Sequence, residues 1–217
     1  MMNCAYEASV VPIVQRLMGG MLDYATYGLG MELDDFYNMF LESKYPEKIA
    51  RIDSRTVMGT SGIELCCDIA GKDVLTGDLL ETYEYHAASG RSPEYWCGWA
   101  IAYYQWKSSM SFADIAGIVD ISSVYQMYRK YHEMDITQFV DKLDDIYREK
   151  NPDTKLKIMR TRLGLSQREL AERACIPIKT IQQYEQRQKN INHANVDYLI
   201  SLSKALYCDI DLLIEKV

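Results

Sequence analysis

The 217-residue sequence predicts an all-α fold, on three observations. Apolar residues recur at the 3.6-residue period in several stretches. Helix-start signals, Ser-x-x-Glu/Asp and Ser-Pro, stand before several of them. No alternating apolar–polar run is long enough to argue for a strand.

Taken in order, Val14, Leu17, Met18, Met21 and Leu22 mark a helix over Ile13–Ala25, weakened by Gly19-Gly20 at about 1 kcal/mol per glycine. Leu33, Phe36, Tyr37, Phe40 and Leu41 mark another over Glu32–Lys44. A third runs from Thr60 to Ala70 and stops at Gly71. Ser92 caps a helix that opens at Pro93 and reaches about Lys107. Its stripe of Trp96, Trp99, Ala100, Tyr103 and Trp106 holds every tryptophan of the chain and reads as core rather than as a ligand cage or partner groove. Ser111-Phe-Ala-Asp114 is a capping box opening a short helix. Ile136, Phe139, Val140, Leu143, Ile146 and Tyr147 form the apolar face of the next, which either packs internally or forms a dimer seam. Pro152 disfavours helix at Asn151 and places a boundary there, between an acidic helical part over 1–150 and a module over 154–217.

Charge divides at the same place. The chain carries a net −7, yet residues 151–217 hold eleven Lys and Arg against eight Asp and Glu, leaving residues 1–150 at −10. Such asymmetry indicates two electrostatic tasks. No stretch approaches the roughly 20 consecutive apolar residues of a membrane helix. The N-terminus has neither a basic nor an apolar leader segment, so a cytoplasmic location and no membrane association are expected. The six cysteines read as reduced thiols filling core space, with no pair of pairs at zinc spacing. His86, beside Tyr83, Glu84 and Tyr85, has no nucleophile or paired base and reads as a surface histidine. Glycine-rich phosphate loops are absent. No catalytic residue, cofactor or metal ligand is assigned, and no enzyme is predicted.

The informative stretch runs from Ser166 to Glu185. Ser166 and Glu169 form a capping box, and Leu170, Ala171 and Ala174 supply an inner face. Cys175-Ile176-Pro177 is a short turn, with Pro177 placed to begin the next helix. Ile181 and Tyr184 point inward, leaving Lys179, Thr180, Gln182 and Gln183 outward. Two short helices joined by such a turn are a helix-turn-helix unit, in which a small Ala171 permits the close crossing. Glutamine suits adenine edges, lysine suits guanine, and the Ile178 side chain or the Thr180 methyl suits thymine methyls. Ser111–Ile121 echoes Ser166–Ile176, an internal similarity attributed to two short capped helices looking alike.

This stretch resembles the phage-repressor (Cro-like, XRE) helix-turn-helix family, and the resemblance extends over about 154–217. Leu156–Leu165 is similar to its first helix and the glycine turn after it, Val196–Leu206 to its fourth helix and Ile210–Leu213 to its fifth. The resemblance implies a five-helix DNA-binding domain. Ile178, Lys179, Thr180 and Gln183 would read base edges, with Gln182 beside them. Gln167 and Arg168 would make phosphate and outer-base contacts, and Arg187 and Lys189 would approach the backbone beyond the reading helix. Three departures bear on turn geometry: Cys175 and Arg187 where the family has glycine, and Pro177 where it has a serine cap.

Residues 1–150 loosely resemble regulators associated with bacterial toxin–antitoxin operons, through Ser61–Leu65 and Glu94–Trp106. The expected function is therefore a sequence-specific double-stranded DNA-binding transcriptional regulator, a repressor acting at an operator as a homodimer. The reading extends to the antitoxin of a pair, with a cognate toxin as partner. The alternative is a helical protein-interaction module whose helix-turn-helix serves assembly rather than DNA.

Overall fold

A computed structural model describes residues 4–74, 83 and 90–215. Among them the chain is helical with no strand, an all-α fold. His86 and the stretch 75–80 lie outside the described residues. The chain divides into two compact units, Met1–Tyr147 and Arg148–Val217.

The first unit is built around α1 (Val11–Asp23), which begins with Pro12 in its first turn and continues into a π-helical turn, Tyr24–Gly28. Next come α2 (Leu33–Glu42), α3 (Tyr45–Ala50), α4 (Ser54–Gly59) and α5 (Gly62–Ala70). Then follow α6 (Pro93–Ser108), α7 (Phe112–Ile118), α8 (Ile121–Tyr131) and α9 (Ile136–Lys150). Local chemistry sets the starts. Ser61 and Ser111 close capping boxes with Glu64 and Asp114, and Gly71 ends α5 in the left-handed region. Ser92 does two jobs: its Oγ accepts the Tyr95 amide at 3.0 Å and donates to the buried Asp23 carboxylate, which also takes the Tyr83 hydroxyl at 2.7 Å.

Helix α1 packs along α6 and against α5, while α8 lies on α6 and α2. Glycine makes these approaches possible. A Cβ at Gly98 would overlap the Met18 carbonyl oxygen and come within 2.6 Å of its carbon; one at Gly62 would stand 2.7 Å from the Met21 nitrogen. Gly19 is covered by the Tyr95 ring, and Gly20 faces Gly62. The Gly19-Gly20 pair that weakens α1 as an isolated helix thus lies on the surface where its neighbours seat.

The same crowding corrects the expected stripe on α6. Cys97, Gly98, Ile101, Tyr104 and Gln105 are buried, as are Trp96 and Ala100, whereas Trp99, Tyr103 and Trp106 are half-buried. Only glycine fits at position 98, where α1 comes closest. On α9, Phe139, Val140 and Leu143 are buried within the unit, and Ile136, Ile146 and Tyr147 are half-buried. Cys66, Cys67 and Cys97 are buried free thiols, and burial pushes Cys66 up to about 12. Among the described residues no helix is long and apolar enough to cross a membrane.

The second unit contains α10 (Lys155–Arg162), α11 (Gln167–Ala174), α12 (Ile178–Glu185) and α13 (Val196–Leu206). The segment expected as a fifth helix is a single 3-10 turn, Ile210–Leu212, with Leu213 buried behind it. Leu156, Leu170, Ala171, Ala174, Ile181, Tyr184, Leu199, Leu202, Leu206 and Leu213 belong to one apolar cluster. The chain end is fastened by Asn192 and Glu215, whose side chain and backbone exchange hydrogen bonds of 2.5 and 2.9 Å.

Candidate nucleic-acid interface

The site is assembled from α11 and α12. The Ser166 hydroxyl accepts the Glu169 amide at 3.2 Å, and the Glu169 carboxylate accepts the Ser166 amide at 2.7 Å. These hydrogen bonds hold the Glu169 carboxyl below its ordinary range. Ala171, 7% exposed, lies in the shared core, and its carbonyl takes the Ile176 amide at 3.0 Å.

The turn between the helices follows glycine geometry without glycine. Cys175 adopts φ 54°, ψ 39° in that turn, and Arg187, beyond the end of α12, adopts φ 53°, both left-handed. Pro177 is the N-cap of α12, the position where the resemblance places a serine cap, rather than the first helical residue, and no side chain caps that end. A left-handed L-residue costs about 1–2 kcal/mol, and the exposed Cys175 thiol makes only a long contact, 3.8 Å, to the Glu172 carbonyl. Cys175→Gly is therefore expected to stabilise the second unit by about 0.5–1 kcal/mol, after the extra unfolded-state freedom of glycine is subtracted. Urea unfolding followed by circular dichroism checks it. Arg187→Gly should give no such gain, because the Arg187 guanidinium donates to the Pro152 carbonyl at 3.0 Å and the Asn151 carbonyl at 2.8 Å.

Beneath the surface lies a polar cluster that sequence reasoning missed. Arg160 Nε and Nη2 donate to the two Glu185 carboxylate oxygens at 2.6 and 2.9 Å, and Nη1 donates to the Leu165 carbonyl at 2.6 Å. Gln167 Nε2 adds a fourth bond, to Glu185 at 2.8 Å. The side chains of Arg160 and Glu185 are 10% and 2% exposed, so this is a buried bidentate pair. Its hydrogen bonds raise the Arg160 pKa above the ordinary value. It ties the last turn of α12 to α10 and to the start of α11. One signal was available: a carboxylate at a helix C-terminus opposes the helix dipole, so Glu185 needs a cation.

The nine residues singled out from the sequence take different positions. Lys179 and Lys189 are exposed, as is Ile178 at 42%, while Thr180, Gln182 and Gln183 are half-buried along α12. Arg168 is exposed, pairs with Glu172 at 3.0 Å, and shares a cleft with Ile178 between the two helices. Lys189 follows α12 closely, its amide bonded to the Gln183 carbonyl at 3.1 Å. Gln167 and Arg187 turn toward protein partners, Gln167 to Glu185 and Arg187 to the 151–153 backbone.

Two short helices crossing on a shared alanine, the second with its apolar residues inward and an amide- and lysine-bearing face outward, define a helix-turn-helix domain. Residues 156–213 match the family model described as Helix-turn-helix, and this C-terminal region is a helix-turn-helix domain of the XRE type. No curated protein and no solved structure matches the chain.

Proposed function

We propose that the chain is a sequence-specific double-stranded DNA-binding transcriptional regulator, a cytoplasmic repressor that engages its operator as a homodimer. The observation that carries this reading is the division of α12: Ile181, Tyr184 and Glu185 are buried, and Ile178 and Lys179 stand out to solvent. Ile178, Lys179, Thr180, Gln182 and Gln183 then read base edges, while Arg168 and Lys189 contact phosphates. Gln167 and Arg187 act by positioning α12 and the segment after it. The modest positive charge of residues 151–217 favours a dimer spanning two half-sites about 34 Å apart. The acidic N-terminal part binds a partner protein, a cognate toxin in the antitoxin reading; co-purification with the product of an adjacent gene tests that extension.

The primary test is anisotropy titration of the full chain against DNA from upstream of its own gene. Lys179→Ala and Gln183→Ala are each expected to weaken specific binding by about 1–3 kcal/mol. Arg168→Ala should weaken all sequences alike and lower the salt slope by about one. Binding that ignores salt, or unchanged selectivity in both α12 variants, rejects DNA reading and favours an assembly module.

A further inference from the structure

The first unit contains a cleft of about 210 Å³ that the DNA-binding reading does not use. Tyr95, Trp96 and Trp99 of α6 form one side, and Tyr128, Tyr131 and His132 from the end of α8 form the other. Met134, Ile136 and Arg91 complete its lining. Helical spacing produces this arrangement. Tyr95 and Trp99 are one turn apart on α6, as Tyr128 and His132 are on the second helical segment. The rings hold one another in place: Trp96 meets Tyr128 edge-on at 5.8 Å, and Tyr128 stacks on His132 at 4.3 Å. The His132 ring is tied to the Tyr128 carbonyl at 2.7 Å.

Size and charge narrow the ligand. Common small-molecule pockets run from about 300 Å³ upward, so this cleft suits a single ring or a fused pair. Aromatic walls accept a planar ring by stacking or edge contacts. Aromatic walls also suit a cation, but the charge here has the wrong sign for one. The Arg91 guanidinium lies over the Tyr95 ring, 4.9 Å from its centroid, and among the described residues no carboxylate lines the cleft. Glu133, which lies 3.6 Å from His132 Nε2, is 86% exposed and outside the lining. A guanidinium beside a π-rich wall matches a carboxylate joined to a flat ring. We infer that this cleft binds a small planar aromatic carboxylate, its ring between the α6 and α8 aromatics and its carboxylate on Arg91.

The test is titration of the full chain with benzoate and phenylacetate, by calorimetry and tryptophan emission. Every tryptophan lies on α6 and two line the cleft, so emission reports occupancy directly. Saturable binding is expected with a dissociation constant of about 1 mM or below. Benzyl alcohol, which lacks the charge, should bind about tenfold more weakly. Arg91→Gln, at an exposed position, should weaken the acids about tenfold and leave benzyl alcohol unchanged. Trp99→Ala should weaken all three. The inference is overturned by absence of saturable binding, by tetramethylammonium binding more tightly than phenylacetate, or by acid affinity that Arg91→Gln does not change. None of these outcomes depends on DNA binding, so the two proposals stand or fall separately.

Discussion

Glu185→Ala is expected to destabilise the second unit by about 3–5 kcal/mol, because it strands a buried guanidinium without its counterion. Arg160 would keep only the Leu165 carbonyl, and Gln167 would lose its acceptor. Replacing both charges tests the cause. An Arg160→Met, Glu185→Leu double variant should recover most of the loss, since an apolar pair of similar volume avoids the desolvation cost altogether. The two units are separable by probe. Every tryptophan lies before residue 147, so emission follows the first unit while circular dichroism follows both. In urea, Glu185→Ala should shift only the dichroism component that the tryptophans do not report. A shift below about 1 kcal/mol would show that the pair is not the fastening for α12 described above. DNA binding should fall with it, whereas Lys179→Ala should weaken binding with stability unchanged.

Gly98→Ala should cost the first unit about 1–3 kcal/mol, and Gly98→Val more, because the added carbon meets main chain that cannot rotate away. Helix propensity works in the opposite direction, since alanine is about 1 kcal/mol better than glycine within a helix. Gly117 on α7 separates the two effects. A Cβ there meets nothing within 4 Å, so Gly117→Ala should stabilise by about 0.5–1 kcal/mol. Tryptophan-monitored urea unfolding of both variants decides the matter. Equal gains at the two positions would mean that α1 and α6 do not seat as closely as the Gly98 geometry requires.

How much of this was legible in the sequence follows from the range over which each signal acts. Caps are local: Ser61, Ser92, Ser111 and Ser166 each stand within three residues of the amide they satisfy; the last three marked their helix starts, and Ser61 caps a helix whose expected start, Thr60, lies one residue before it. The helix-turn-helix was legible for the same reason, as its cap, alanine and turn fall within twenty residues. Helices α3 and α4, six residues each, are too short to display a period, and α8 buries only Ile121 and Val124 and so shows little apolar stripe. The Arg160–Glu185 pair spans 25 positions, and Gly98 meets Met18 across 80. Such partners are united only by the finished fold. The echo between Ser111–Ile121 and Ser166–Ile176 breaks at the turn: Asp120 is extended where its counterpart Cys175 is left-handed, so equal caps lead into unequal corners.

The contact between α1 and α6 has a mechanical consequence. Where side chains interdigitate, a helix can slide by changing rotamers one at a time. Main chain resting on main chain offers no such intermediate, because planar peptides have few soft angles to spend. These two helices therefore part as a whole or stay together, and the first unit carries at its centre a rigid spine rather than a hinge.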